Sequence, residues 1–188
     1  LITWLPGEVL ASCKWQGPEL LHHLGVCVGE VDGALKGFDH AALHRGDFPW
    51  DLCNAPVVID RYIDQVKDSQ LHHQINVVRE NLTEYVVPRL PRLEQSVIHN
   101  DANDYNVIVQ RPALDQQQVA GLIDFGDVAH TYTVAGLAIA IAYAMLDKTD
   151  PLQAAMRIVE GYHGVRPLTE DELAVVFPMA CGRLAVSV

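Results

Sequence analysis

Four residues with oxygen-bearing side chains stand at the ends of apolar segments near the middle of the chain. Asp101 and Asn106 lie in "VIHNDANDYNVIV", residues 97–109, and Asp124 and Asp127 follow in "VAGLIDFGD". Carboxylate and amide oxygens suit a hard cation such as Mg²⁺, which prefers oxygen ligands and retains several waters. The same set suits phosphoryl transfer, because one carboxylate can accept a hydroxyl proton while the other groups hold a metal against phosphates.

Two other interpretations of this pattern are open. Asn and Asp tolerate unusual backbone angles and cap their own turns, so a polar β-turn would also explain residues 97–109. A metal-dependent hydrolase could use Asp101 and Asp124 as its pair of carboxylates. The second aspartate segment, one hairpin-sized interval after the first, favours the chemical interpretations over the purely structural one.

The elements that must position these residues can be predicted from the spacing of apolar side chains. Helices are expected at 19–35, 69–87, 132–147 and 151–162, with a last one starting at the capping box 169–172. Gly25 and Gly29 are expected to weaken the first helix. Short strands on both sides of the polar loop and before Asp124 make a small β-ribbon island at 97–127. The predicted fold class is therefore α+β and mainly α-helical.

Composition restricts the classes of partner. The net charge of -11 argues against a nucleic-acid or anionic-membrane surface, since either requires clustered Lys and Arg, and is compatible with a cationic ligand. The four cysteines form no CxxC pair, so free thiols in a reducing cytosol are expected. The longest apolar run, 134–146, is too short to span a bilayer and predicts a buried helix. We therefore expect a cytoplasmic protein that binds no nucleic acid and no membrane.

Two motifs carry a resemblance to a known family. "HNDANDYN" fits the pattern H-x-D-x-x-x-x-N and "IDFG" fits D-F-G, with 23 residues from Asp101 to Asp124. In this form the pair resembles the aminoglycoside phosphotransferase and choline kinase family, the small-molecule branch of the protein-kinase-like fold. The resemblance implies a kinase that uses ATP as co-substrate and Mg²⁺ as cofactor.

Three further stretches resemble the C-terminal lobe of that family, so the resemblance spans residues 1–188 as a single lobe. "LITWLPG", residues 1–7, resembles the linker strand where the adenine docks, which implies nucleotide contacts from Thr3, Trp4 and Leu5. "FDHAALHRGDFPWDL" resembles a segment of hydroxylysine-kinase-like members, and "FGDVAHTYTVAGLAIAIAYAML" resembles the helix that follows D-F-G.

The resemblance also implies a role for each motif residue. Asp101 would be the catalytic base, and Asn106 and Asp124 would be Mg²⁺ ligands. His99 would be structural, with its ring packed beneath the loop, and Phe125 would pack beside it.

The acceptor implied by the closest branch is a small molecule with a hydroxyl group, such as the amino alcohol hydroxylysine. Its ammonium group would be favoured by acidic residues, and Asp104 and Asp127 are the candidates near the motifs. Trp50 and Asp51 are expected to contribute to the acceptor pocket.

The chain departs from the family pattern in one respect. It has no glycine-rich phosphate loop, and Lys14 and Lys36 follow the linker strand rather than preceding it. We therefore expect the N-terminal lobe to be absent and the chain to be cut from a longer polypeptide, with an aminotransferase domain as a fusion partner. The alternative function is a non-catalytic, kinase-like binding or regulatory module of a larger enzyme.

Histidine and tryptophan supply weaker signals. His40 and His44 stand four residues apart as in HExxH, but Ala41 occupies the position of the glutamate, so a zinc protease is disfavoured. Trp4, Trp15 and Trp50 are expected mainly as anchors of the core or of a lobe interface.

Overall fold

The computed structural model describes residues 4–113 and 116–188 and confirms the predicted α+β, mainly α-helical class. Short 3₁₀ turns connect several of the elements. The helices and strands in chain order are β1 (Glu8–Val9), α1 (Pro18–Leu35), α2 (Ala55–Tyr62), α3 (Ser69–Asn81), β2 (Gln95–Ile98), β3 (Val107–Ala113), β4 (Gln116–Leu122), β5 (Ala129–Tyr132), α4 (Val134–Ala144), α5 (Pro151–Val165) and α6 (Glu170–Val186).

Helix α4 is the centre of the core, as its apolar sequence predicted. All of its residues except Tyr143 are buried, and α1, α5 and α6 pack around it. Helix α6 begins at the predicted capping box, in which Thr169 and Glu172 satisfy each other's backbone N–H groups. A helix surrounded on several sides needs apolar residues around its whole circumference, which is why α4 shows no polar stripe.

The glycines of α1 allow close packing, which corrects the expectation that they mainly weaken the helix. A Cβ on Gly25 would collide with the carbonyl oxygen of Ile158 in α5, and a Cβ on Gly161 would collide with the carbonyl oxygen of His22. The two helix backbones are therefore in contact where the glycine of one helix faces the backbone of the other helix. This contact holds α1 and α5 close together, and α1 in turn packs against β4 and β2.

The predicted island is divided between two antiparallel sheets in the described part of the chain. One sheet has the order β1-β3-β4, and the other pairs β2 with β5. Strand β5 was not predicted, because residues 129–132 lie just before the expected start of a helix. The polar loop after β2 thus crosses from one sheet to the other, and the β3–β4 hairpin brings residue 106 close to residue 123.

The described part of the predicted linker strand, residues 4–7, is not a strand, and residues 1–3, including Thr3, lie outside the described residues. Strand β1 follows the turn at Gly7. Gly7 has a φ of 147°, and a Cβ there would collide with the Val109 backbone, so the turn requires glycine. Trp4 is 84% exposed and Trp15 is 67% exposed, so neither anchors the core, and a role of either at a lobe interface stays a prediction.

Two further sequence expectations can be compared with the structure. All four cysteines are free, as predicted. None of the described helices is long and apolar enough to cross a membrane.

Candidate active site

His99 links the catalytic-loop segment to the end of β4. Its Nδ1 accepts a hydrogen bond from the Asp101 backbone N–H at 3.2 Å, so its Nε2 carries the proton and donates to the Ile123 carbonyl at 2.9 Å. The ring is buried and meets the Phe125 ring edge-on at 4.6 Å between centroids. Burial lowers the pKa of His99, which keeps the ring neutral in this tautomer, although three neighbouring carboxylates oppose the shift.

The half-buried carboxylate of Asp101 is held by donors on both of its oxygens. Oδ1 accepts from Nη2 of Arg183 at 2.7 Å. Oδ2 accepts from Nδ2 of Asn106 at 2.7 Å and from Nδ2 of Asn103 at 3.0 Å. Because the carboxylate has several charge-assisted or amide donors, its orientation is determined before any ligand binds.

Asn106 is 8% exposed and is held at the start of β3 by its backbone and its side chain. Its Nδ2 also donates to the Asp101 carbonyl at 2.9 Å. Both partners of Nδ2 can only accept, so the amide nitrogen must face them and Oδ1 is the atom that could bind a metal. The Asn106 carbonyl accepts from the Ile123 backbone N–H at 2.9 Å, which places this residue beside the segment that carries Asp124.

Asp124 follows β4 in a strained turn. Its φ is 63°, in the left-handed region that Asp tolerates better than most residues, and its Oδ1 accepts from the Gly126 N–H at 3.2 Å. The side chain is exposed, so its carboxylate is accessible to a ligand. The negative charges of Asp101, Asp124 and Asp127 all tend to raise the pKa of His99 and so oppose the effect of its burial.

The donor set fits Mg²⁺ bound together with a nucleotide. Within residues 4–113 and 116–188, no three His, Cys, Asp or Glu side chains are grouped to hold a metal, which includes the surroundings of His40 and His44. Mg²⁺ in phosphotransferases commonly takes only one or two protein ligands, with water and phosphate oxygens completing the octahedron. Asn106 Oδ1 and the Asp124 carboxylate are the oxygens suited to that role.

The segment 38–54 borders this site on two sides. Nη1 of Arg45 lies 3.5 Å from the Gly126 carbonyl, at the turn after Asp124. The guanidinium of Arg183 lies over the Trp50 ring at 4.6 Å, and Arg183 in turn contacts Asp101. Residues of this segment therefore reach both the metal side and the base side of the candidate site.

Asp51 and Asp104, two of the residues predicted near the acceptor, lie in different surroundings. Asp51 is buried, and its Oδ1 accepts from the Thr131 hydroxyl at 2.7 Å and from the Cys53 N–H at 3.1 Å, so it attaches the segment to β5. Asp104 lines a cavity of about 500 Å³ that also contains Lys148. Burial raises the pKa of Asp104, and the Lys148 ammonium opposes that rise.

The remaining predicted residues lie at the edges of the site. Asp127 is half-buried, and its negative charge tends to raise the pKa of His99. Of the predicted nucleotide contacts, Trp4 is exposed and Leu5 lies near Gly121 of β4.

Sequence reasoning missed Arg183, which contacts the candidate base from α6. The side chain is 3% exposed. A single arginine inside the apolar run "MACGRLAV" was the available signal, because a buried charge requires a partner.

The fold and this site define a class, the kinase-like phosphotransferases. A solved amicoumacin kinase in complex with AMP-PNP, Ca²⁺ and Ami has a TM-score of 0.64 at 13% identity, over 97% of this chain and 53% of that one. A microcompartment-associated aminopropanol kinase has a TM-score of 0.63 at 16% identity, over 95% and 55%. Choline kinase from Cryptosporidium parvum Iowa II has a TM-score of 0.58 at 12% identity, over 97% and 60%.

The chain belongs to the Phosphotransferase enzyme family, whose model matches residues 1–173, and this confirms the resemblance seen in the motifs. Hydroxylysine kinase of Mus musculus is 31% identical over 194 residues, covering 100% of this chain and 51% of that protein. Hydroxylysine kinase of Xenopus laevis is 32% identical over 186 residues, covering 94% and 49%. The chain thus spans about half the length of the curated relatives it matches.

Proposed function

We propose that this chain is the acceptor- and metal-binding lobe of an ATP- and Mg²⁺-dependent kinase that phosphorylates a hydroxyl group of a small molecule. One observation carries the proposal. The Ile123 carbonyl accepts a hydrogen bond from His99 Nε2 and the Ile123 N–H donates one to the Asn106 carbonyl, each at 2.9 Å, which supports a common location for the candidate base and the two candidate metal ligands. Membership of the Phosphotransferase enzyme family supports this use of the site.

In the proposed reaction the Asp101 carboxylate orients the acceptor hydroxyl and accepts its proton. The oxygen then forms a bond to the γ-phosphorus, and the bond from that phosphorus to the bridging oxygen breaks with its electron pair remaining on ADP. Asn106 Oδ1 and the Asp124 carboxylate would hold Mg²⁺, which when bound neutralises negative charge on the phosphates. His99 holds the loop that carries Asp101 against the segment that carries Asp124.

The proposed acceptor is an amino alcohol such as hydroxylysine. The curated relatives that carry this name match 92–100% of the chain, and the net charge of -11 favours a cationic substrate. Trp50 and Asp127 are the proposed contacts. Trp50 covers Arg183, which contacts Asp101. The charge of Asp127 acts on His99, which accepts from the Asp101 N–H. Asp51 is less suited because its carboxylate already accepts a hydrogen bond from the Thr131 hydroxyl. Asp104 is less suited because the positive charge of Lys148 already acts on it.

The other half of the reaction is proposed to come from an N-terminal lobe outside this chain. That lobe would supply the phosphate-covering loop and its lysine, neither of which occurs in these 188 residues. Thr3, Trp4 and Leu5 are the proposed adenine contacts of the connecting segment. The fused aminotransferase domain and the cytoplasmic location stay predictions.

The test uses the full-length protein with Mg²⁺, ATP and a panel of amino alcohols. Asp101→Asn should lower kcat on the order of 10²–10⁴-fold, the usual contribution of a positioned general base. Asp60→Asn is the matched control and should leave kcat unchanged, because Asp60 is an exposed aspartate of α2 whose side chain pairs with Arg79 of α3.

Failure of the proposal has a defined form. If no amino alcohol is phosphorylated and Asp101→Asn changes no rate, the chain is a non-catalytic, kinase-like module. If ATP is consumed without a phosphorylated acceptor, and Asp101→Asn stops that consumption, a metal-dependent hydrolase is favoured instead.

A further inference from the structure

Arg183 is a buried arginine that three separate parts of the chain hold against the candidate base. From α6, its Nη2 donates to Oδ1 of Asp101 at 2.7 Å, and its Nε donates to the Tyr143 hydroxyl of α4 at 3.1 Å. The Trp50 ring covers the guanidinium at 4.6 Å. Contacts to α4, to segment 38–54 and to the catalytic loop leave the guanidinium a single position.

The burial of the third nitrogen of this side chain, Nη1, is costly for the stability of the lobe. Nη1 of Arg183 is buried and has no hydrogen-bond partner among the described residues. An unmet donor on a buried charge is costly, and a buried ion pair is often no more stable than an apolar replacement. Native structures rarely keep such a group without a reason, such as an ordered water or a functional role.

The hydrogen bonds of Asp101 indicate what that reason is. A carboxylate has about four lone-pair positions, two on each oxygen. On Oδ2 both are used, by Asn106 and by Asn103. On Oδ1 the structure shows one donor, Arg183, so one position is left. Arg183 fixes the direction of that position, because it holds the oxygen that carries it.

We propose that Arg183 is a positioning residue for the phosphoryl transfer, and that Oδ1 of Asp101 is the atom that receives the acceptor proton. This inference rests on the proposed function and deepens it. The acceptor O–H bond breaks, its electron pair forms the bond to the γ-phosphorus, and the proton moves to the open position on Oδ1. The bond to ADP breaks with its pair on ADP, and the proton later passes to solvent.

A different role for Arg183, direct binding of an anionic group of the acceptor, fits the geometry less well. Nη1 is the donor that such a group would need, and it is inaccessible behind Trp50 and Tyr143. The two roles predict different kinetics. Loss of a positioning residue lowers kcat, whereas loss of a binding contact raises the KM of the acceptor.

The experiment compares variants of the full-length protein under steady-state conditions. Arg183→Met should lower kcat roughly 10–100-fold, the size typical of losing a residue that orients an active group, with KM for ATP and acceptor little changed. Arg183→Lys should recover part of the rate, because lysine keeps a charged donor for Oδ1 but cannot also reach Tyr143. Arg166→Met is the matched control, since Arg166 is also a largely buried, ion-paired arginine, bound to Glu94 and Glu172.

The control separates positioning from general stability. Arg166→Met should lower the melting temperature while leaving kcat within about twofold of wild type. A wild-type kcat in Arg183→Met, or a change confined to the acceptor KM, overturns the inference. Should Arg183→Met fail to fold, two milder variants test the same contact: Arg183→Lys replaces the guanidinium by an ammonium group, and Tyr143→Phe removes the hydroxyl that accepts from Nε. An unchanged kcat in both also overturns the inference.

The wild-type protein distinguishes this inference from the function on which it rests. If wild type transfers phosphate to no acceptor, the proposed function fails and the role of Arg183 fails with it. If wild type and Arg183→Met are equally active, the proposed function stands and only the role of Arg183 is lost.

Discussion

Replacing Asp32 by asparagine should remove a large pH dependence of the stability of this lobe. Asp32 lies on α1, is 2% exposed, and its Oδ2 accepts from the Tyr162 hydroxyl at 2.7 Å. Burial raises the pKa of Asp32 from 3.8 to about 7, and the Tyr162 hydrogen bond and the Arg166 charge offset only part of that rise. The surroundings thus favour the protonated acid in the folded state.

The sign of the effect follows from proton linkage. Because the folded pKa lies above the unfolded value, the folded state binds this proton more tightly. The contribution is fully present below about pH 4, declines as the pH rises, and is lost above about pH 7. A difference of about three pKa units corresponds to a loss on the order of 4 kcal/mol between these limits. That is a sizeable part of the 5–15 kcal/mol that typically separates folded from unfolded domains.

Asp32→Asn keeps the shape and an acceptor for Tyr162 but cannot ionise. Its buried NH₂ lacks an evident partner, which costs about 1–3 kcal/mol at every pH. The variant should therefore be less stable than wild type at pH 4–5 and more stable by about 1–3 kcal/mol at pH 8. Urea unfolding at several pH values, followed by circular dichroism, measures both free energies.

An aspartate with the opposite shift supplies the control. Two hydrogen bonds of 2.7 Å from Arg92 lower the pKa of Asp171, so its contribution is present above the unfolded pKa and lost on acidification. Asp171→Asn should match wild type in acid and be less stable at neutral pH. If the difference between wild type and Asp32→Asn stays constant from pH 5 to pH 8, the assignment of a raised pKa to Asp32 is refuted.

Two further predictions concern the metal side of the site and the helix core. Asp124→Ala should abolish Mg²⁺-dependent nucleotide binding in calorimetry while the lobe stays folded; the melting temperature should fall only slightly, because the exposed side chain contributes one hydrogen bond to the Gly126 N–H in a left-handed turn. Retained binding would exclude Asp124 as a ligand. Gly25→Ala should destabilise the lobe by about 2–3 kcal/mol through collision with Ile158, measured by urea unfolding. Gly33→Ala on the same helix meets nothing within 4 Å and should stabilise by about 0.5–1 kcal/mol, and equal effects of the two changes would contradict this account.

The candidate site was largely predictable because its motif residues are close in sequence. Asp101, Asn106 and Asp124 belong to one loop and the following hairpin, so local spacing already implies proximity. Arg183 is 82 residues away from Asp101 and approaches it only because α6 packs on α4. Contacts of this kind depend on tertiary packing. The periodic spacing of apolar residues predicts helices and strands but does not specify how they pack.

The sheets show the same limit at the level of strands. Apolar runs correctly predicted β2, β3 and β4, but pairing depends on which strand edges meet in space. β2 pairs with β5, a four-residue strand whose "AHTY" sequence has too few positions to display alternation. The prediction of a small β-ribbon island therefore did not specify which strands pair, although it located the polar loop between strands.

The base and the exposed metal ligand differ in how firmly the lobe holds them, and this difference suits their proposed roles. Asp101 has three side-chain donors on its two oxygens, supplied by the loop and by α6. Asp124 has one backbone donor at 3.2 Å and stays exposed in its left-handed turn. A base must lie within hydrogen-bond distance of the acceptor hydroxyl. A carboxylate that is already fixed in orientation lowers the entropic cost of reaching that geometry. Water and phosphate oxygens would complete the coordination of the metal. The Asp124 carboxylate would therefore become fully ordered only when the nucleotide binds together with the metal. The lobe would therefore present a base that is ready in advance and a metal site that is completed by its co-substrate.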